Sequence, residues 1–168
     1  MTTKQEERLR NKIKKFKAAL AADKKFWGGF YHDGQGLRYA IPQMYIQLGD
    51  FSGGLRYMNW FQKNFSDDAA YSIFFFEWAL ILYKTKRNKE AEQKVVEAFV
   101  DNRYIFDKFF DRLVMAGNEE NNQELKIAEK HFNYSHTQEN FSDFASWLDS
   151  LLQSEKFVSL VKEYEDRF

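Results

Sequence analysis

The three histidines are the first residues to consider, because imidazole nitrogens bind metals and exchange protons near neutral pH. They are His32, His131 and His136. Two histidines one helical turn apart can share a metal ion, but His131 and His136 stand five residues apart and straddle a predicted helix end. No second histidine lies near His32 in the sequence. We therefore predict no metal site.

The aromatic and glycine-rich segment 26–36 is the second candidate, since the N–H groups of glycine loops can hold phosphate groups. Its residues Asp33 to Gly36 lack the strand context and the G-x-G-x-x-G spacing of dinucleotide sites, and they lack the Gly-Lys-Ser/Thr of triphosphate sites. N–H groups at a helix N-terminus could still bind an anion. Alternatively, the segment forms a small-molecule pocket, for which the candidate residues are Trp27, Tyr31, His32 and Arg38.

Residues suited to covalent or acid–base catalysis are not evident. The chain has no cysteine and no Gly-x-Ser-x-Gly motif, and its many carboxylates are typical of a charged helical surface. Glu77 differs, because it lies within the most apolar predicted helix, where a carboxylate is costly unless it is paired. We expect it to pair with Arg38 or Arg56, or to face an open groove. We predict no catalytic residue, no cofactor and no enzymatic activity.

Charge is distributed unevenly, although the net charge is zero. Residues 1–25 contain nine lysines and arginines against three acidic residues, so this end is strongly basic. A basic helix and abundant rings superficially suit nucleic acid, but the zero net charge and the helical spacing of the rings argue against such a partner. The absence of cysteine, of a signal peptide and of an apolar run long enough to span a bilayer predicts a cytoplasmic protein with no membrane partner.

The elements that position these residues repeat at an offset of 37 residues. Small residues recur at this spacing, at Gly54, Ala91 and Ala128. Each is followed four residues later by an apolar residue, at Met58, Val95 and Phe132. Repetition at this period is typical of stacked helix–turn–helix units.

Hydrophobic periodicity predicts helices throughout and no strand, hence an all-α fold. Pro42 indicates that the second helix either begins near Ile41 or bends there. We expect Ser66, Asp67 and Asp68 to cap the fourth helix. The sixth helix should bury Leu113 and Val114. The predicted helices cover 4–22, 37–48, 51–65, 69–85, 89–100, about 101–114, 124–134, 141–152 and 157–164. We assign one domain over 1–168, with a basic helix at 1–25, repeats at 36–134 and capping helices at 135–168.

The turns of the first two units carry a family resemblance. Leu48-Gly49-Asp50-Phe51 with Gly54, and Arg87 to Ala91, resemble the middle of tetratricopeptide repeats, in which a small residue lets paired helices approach closely. The resemblance includes divergent bacterial members of this class, and it implies a short right-handed solenoid of about three helical hairpins. The period of 37 in place of 34 and the missing boundary proline depart from the pattern.

Solenoids of this class usually bind proteins, so the resemblance implies a non-catalytic module that binds a peptide or helix in a concave groove. The first helices of two repeats would line it with exposed residues: Tyr39, Gln43, Ile46, Gln47, Phe76, Leu80, Tyr83 and Lys84. The alternatives are a small-molecule or anion-binding protein that uses segment 26–36, and a structural protein that forms a homodimer through its aromatic faces.

Overall fold

The computed structural model describes residues 1–115 and 117–168, and these residues form nine α-helices and no strand. The prediction of an all-α fold is confirmed. The helices group into two compact units, Met1–Asp68 and Ala69–Phe168, here called unit 1 and unit 2. Unit 1 contains α1 (Thr3–Phe26), α2 (Leu37–Leu48) and α3 (Phe51–Asn64). Unit 2 contains α4 (Ser72–Lys84), α5 (Asn88–Asp101), α6 (Tyr104–Phe109), α7 (Glu119–His131), α8 (Ser142–Leu152) and α9 (Glu155–Glu165).

The basic helix α1 is held to unit 1 by a narrow apolar face. Thr2 and Gln5 form a capping box at its start, which satisfies backbone N–H groups of the first turn. Among its residues only Ile13 and Leu20 are buried, and α1 packs on α2, which in turn packs on α3. Most of the lysines of α1 are therefore exposed to solvent.

Helix α2 runs without interruption through Pro42, which lies buried in its interior. Proline has no N–H, so the carbonyl oxygen of Arg38, one turn earlier, loses its usual helical donor. The hydroxyl of Tyr57 on α3 donates a hydrogen bond to this oxygen at 2.5 Å. A side chain of the neighbouring helix thus replaces the bond that the proline removes, which explains how the helix continues.

Helix α4 begins at Ser72 rather than Ala69, and the prediction that Ser66 to Asp68 cap it is wrong. The carboxylate of Asp101, at the end of α5, accepts a hydrogen bond from the Ser72 N–H at 2.7 Å. Asp68 instead pairs with the Arg38 guanidinium at 2.7 Å. The cap therefore comes from the adjacent helix, and local sequence did not reveal it.

The core of unit 2 is built from aromatic rings around Phe76. Its ring lies 4.8 to 5.9 Å, centroid to centroid, from five others. The five are Phe106, Phe109, Phe132, Tyr134 and Phe144. Because they come from α6, α8 and the residues after α7, one cluster joins most of the unit.

The repeat positions fall in the interior. Gly54, Ala91 and Ala128 are all buried, as are the apolar residues four positions later. The third repeat departs from its prediction, because α6 ends at Phe109 and the chain turns at Asp111 with a φ of 54°. Leu113, predicted to face the core, is 99% exposed as a result.

Candidate functional site

A cleft of about 450 Å³ opens in unit 1 between α1, α2, α3 and the segment that precedes α2. Helices α1 and α3 supply most of its walls, and Tyr31 and Tyr45 complete them. The lining residues are Lys17, Leu20, Ala21, Tyr31, Tyr45, Gly53, Arg56, Tyr57 and Trp60. This lining holds four aromatic rings and two cations but no carboxylate.

The four rings form a continuous aromatic wall. Tyr45 lies 6.4 Å from Tyr57, and Tyr57 lies 5.4 Å from Trp60, measured between ring centroids. Tyr31 meets Trp60 edge-on at 5.7 Å. Contacts of this kind restrict each ring, so the wall is formed before any ligand arrives.

The two cations of the cleft lie beside this wall. The Lys17 ammonium donates to the Tyr45 hydroxyl at 2.6 Å, and it lies 5.1 and 5.9 Å from the centroids of the Tyr45 and Tyr57 rings. Arg56 lies on α3, one residue before Tyr57. Within residues 1–115 and 117–168, neither cation forms an ion pair with a carboxylate. The cleft therefore has an uncompensated positive charge.

The tyrosine hydroxyls of the cleft have different hydrogen-bonding capacity. Tyr57 donates to the Arg38 carbonyl, and burial raises the pKa of its hydroxyl well above the usual range. Burial, and secondarily the charge of Asp23, also raise the pKa of Tyr31. The Tyr45 hydroxyl accepts from Lys17, which leaves its own proton for an acceptor in the cleft. A ligand with anionic oxygens would find both charge and a hydroxyl donor here.

The small-molecule pocket predicted from segment 26–36 is not assembled as expected. Of its four residues only Tyr31 lines the cleft. Trp27 and His32 are exposed, with their rings 5.0 Å apart. Arg38 is held by Asp33 at 2.8 Å and by Asp68 at 2.7 Å. Tyr31 is therefore the one residue that the predicted pocket and this cleft share.

The anion position expected at the N-terminus of α2 is occupied by a carboxylate of the chain itself. Asp33 is buried and accepts hydrogen bonds from the N–H groups of Leu37 and Arg38 at 2.9 and 3.1 Å. Asp23 accepts from the N–H groups of His32 and Asp33 at 2.7 and 3.0 Å. The donors that could have held a phosphate are thus used to fix the loop.

The Arg38 guanidinium joins this loop to the end of unit 1. Burial opposes its charge, but its hydrogen bonds to Asp33 and Asp68 outweigh that effect and raise its pKa. Tyr39 donates to Asp68, and burial together with that bond raises the pKa of Tyr39 to about 12. The two carboxylates compensate the positive charge of Arg38, which favours a structural role for this guanidinium.

The residues predicted to line an open groove occupy varied environments. Phe76 and Leu80 are 1% and 0% exposed and Ile46 is also buried, so the expectation that they are exposed is wrong. Tyr83 and Lys84 are half-buried because α8 packs on α4, with Lys84 paired to Asp143 at 2.7 Å. Tyr39 and Gln43 are half-buried, and Gln47 is exposed. The face of α4 is covered by the C-terminal part of the chain.

Glu77 is paired with neither Arg38 nor Arg56, and it faces no groove. Its carboxyl is buried and accepts a hydrogen bond from the Tyr134 hydroxyl at 2.7 Å. Burial raises the pKa of Glu77 from 4.5 to about 8, and the Tyr134 bond lowers it only in part. The prediction of an arginine partner is therefore wrong, because the partner of this carboxyl is a tyrosine hydroxyl.

Of the nine lining residues only Tyr31 was predicted from the sequence to line a pocket, and both cations, Lys17 and Arg56, were missed. Lys17 lies on the same helical stripe as Ile13 and Leu20, so a cation stands in the apolar face of α1. Arg56 likewise shares a face of α3 with Gly53 and Trp60, three residues before and four after it. A charged residue in an apolar stripe was the available signal in both helices.

Across the described ranges, no three histidine or acidic residues cluster closely enough to hold a metal ion. No helix there is long and apolar enough to cross a membrane. Comparisons with protein-family models, curated proteins and solved structures give no match for this chain. Its own geometry therefore provides the grounds for assigning a function.

Proposed function

We propose that this protein is a non-catalytic binding protein whose unit 1 cleft takes a small anionic ligand with an aromatic or other apolar body. The observation that carries the proposal is the pairing of two uncompensated cations with an aromatic wall in one cleft. Ligand sites are typically concave and apolar, with a few polar groups that fix the orientation of the ligand. The volume of about 450 Å³ suits a ligand of one or two rings.

Each wall has a distinct role in this proposal. The rings of Tyr57 and Trp60 pack against the apolar body of the ligand. Lys17 and Arg56 attract its anionic group, and arginine can bind a carboxylate, sulfonate or phosphate through two parallel hydrogen bonds. The Tyr45 hydroxyl donates a further hydrogen bond. A neutral ligand of the same shape would lose all but the apolar contacts.

Two matched probes test this requirement for charge. 1-Anilinonaphthalene-8-sulfonate carries an anionic group on an aryl body, and N-phenyl-1-naphthylamine has the same body without the charge. We expect the sulfonate to bind more tightly, and Arg56→Gln to weaken its binding about tenfold, as expected for one charge-assisted contact. Fluorescence titration measures both affinities. Arg56→Gln should leave binding of the neutral amine unchanged.

Lys14→Gln provides the control, because Lys14 is exposed on α1 and does not line the cleft. This variant removes the same unit of charge from the same helix as Lys17→Gln. Equal effects of Lys14→Gln and Lys17→Gln would mean that the net charge of the helix attracts the probe and the cleft does not. Equal affinity for the two probes would also contradict the proposal.

Peptide binding by a short right-handed solenoid of helical hairpins is the second candidate. Its support is the packing of α2 on α3, α4 on α5 and α6 on α7, together with the starts of α3 and α5 at Phe51 and Asn88, which match the 37-residue offset. Gln47, Gln43 and Tyr39 on α2 would then contact the peptide. Gln47→Ala and Gln43→Ala should weaken capture of a partner without lowering thermal stability, and unchanged capture would argue against this face.

A further inference from the structure

The tip of unit 1, formed by residues 24–30 with Lys63, exposes three aromatic side chains. Phe26, Trp27 and Phe30 are 79%, 49% and 78% exposed. Phe26 and Trp27 contact each other edge-on at 5.2 Å. Single exposed apolar residues are ordinary on protein surfaces, but three exposed rings within five residues of the chain require an explanation.

The backbone presents these rings outward by a glycine turn. Gly28 and Gly29 follow the end of α1 with φ angles of 67° and 102°, conformations that other residues rarely adopt. Their N–H groups bond the carbonyl oxygens of Lys25 and Lys24, so the turn is an ordered end of the helix. The exposed rings therefore lie on a hydrogen-bonded turn.

Positive charge surrounds the patch. Lys24 and Lys25 precede the rings, and a second cleft, of about 330 Å³, lies between Lys24 and Lys63 with Phe30 on its edge. None of the three lysines forms an ion pair with another described residue. Asp23 is the nearest acidic residue in the sequence, and its carboxylate binds the N–H groups of His32 and Asp33. The tip therefore combines exposed rings with unpaired cations.

We infer that this tip docks on the surface of an anionic phospholipid bilayer. Phenylalanine and tryptophan side chains partition to the headgroup level of bilayers, and lysines beside them are attracted by anionic lipids. The cleft between Lys24 and Lys63 would receive a headgroup phosphate. The exposed basic face of α1 continues the same charge along the helix. The prediction of no membrane partner considered only segments able to span a bilayer, and such docking needs none.

Vesicle sedimentation tests the inference with the intact protein. We expect binding to vesicles in which about a third of the lipid is phosphatidylglycerol, weak binding to pure phosphatidylcholine, and a loss on adding salt. Phe26→Ser/Phe30→Ser should weaken binding at least about tenfold, and Lys24→Gln/Lys63→Gln should do the same. Val158→Ser/Phe168→Ser removes two exposed apolar residues of unit 2 and should change nothing.

Trp27 supplies a second readout. Vesicles should shift the tryptophan emission to shorter wavelength, and the Trp27→Phe variant should lack that shift. We expect each variant to fold, because all of the changed residues are at least partly exposed. Circular dichroism melting checks this for every variant. The inference is overturned if anionic vesicles do not bind the protein, or if Phe26→Ser/Phe30→Ser binds as tightly as the original chain. Equal binding to neutral vesicles would also overturn it.

Discussion

The bond from the Tyr57 hydroxyl to the Arg38 carbonyl predicts a specific energetic coupling with Pro42. Tyr57→Phe keeps the buried ring and removes only the donor, so the carbonyl that Pro42 leaves without an N–H loses its replacement. Leaving a buried acceptor unsatisfied costs about 1–3 kcal/mol. In Pro42→Ala the new alanine N–H can bond the same carbonyl. Tyr57→Phe should therefore cost at least about 1 kcal/mol less in that background.

Urea unfolding followed by circular dichroism measures the four free energies of this double-mutant cycle. Tyr164→Phe is the control, because the Tyr164 hydroxyl is half-buried and bonds no other described residue. It should change the free energy of unfolding by less than about 0.5 kcal/mol. Additive effects of Tyr57→Phe and Pro42→Ala would refute the reasoning, since they would mean that the hydroxyl does not replace the missing helical bond.

Three further predictions concern the stability of the two units. The pKa of Glu77 is raised from 4.5 to about 8 in the folded protein. Below pH 4.5 the carboxyl is protonated in both the folded and the unfolded chain, and the contribution of Glu77 to stability is fully present. The free energy of unfolding should therefore fall by about 5 kcal/mol as pH rises from 4.5 to 8. Glu77→Gln should flatten this dependence of the urea midpoint on pH, and an equal slope in both proteins would contradict it. Ala91→Leu should destabilise by about 1–3 kcal/mol more than Ala69→Leu, because Ala91 is buried and Ala69 is exposed; equal midpoints would remove the support for the repeat register. In Gly53→Ala the added Cβ would lie 2.7 Å from the Tyr45 ring, so we expect a loss of about 1–3 kcal/mol. Gly117→Ala meets nothing within 4 Å and should be neutral, so equal losses would refute the steric argument.

Periodicity predicted most helices of this protein closely. Helix α2 begins and ends where expected, α3 and α8 differ by one residue at one end, and α5 differs by one residue at each end, because each has a clear apolar stripe with turn residues beside it. Helix α6 is shorter than predicted because Asp111 adopts a positive φ, which sequence patterns for non-glycine residues do not indicate. Leu113 was predicted to be buried only because its side chain is apolar, but it lies beyond the end of α6 and is exposed.

The candidate site was harder to predict, because side chains from distant parts of the chain form it. Tyr31 was identified, but Lys17, Tyr45, Arg56 and Trp60 meet only after three helices have packed. Arg38 and Glu77 were both assigned partners incorrectly, since Asp68 and Tyr134 come from segments 30 and 57 residues away. Long-range pairings of this kind depend on tertiary packing, and one sequence does not specify them.

An NMR titration of the labelled protein with 1-anilinonaphthalene-8-sulfonate tests the central claim most directly, because it locates the ligand residue by residue. We predict that the largest shifts fall on the Trp60 indole N–H and the Gly53 amide, both in the unit 1 cleft. The same resonances should move little when N-phenyl-1-naphthylamine is added at equal concentration, since it lacks the anionic group. Largest shifts in unit 2, or equal responses to the two probes, would contradict an anion-binding cleft in unit 1.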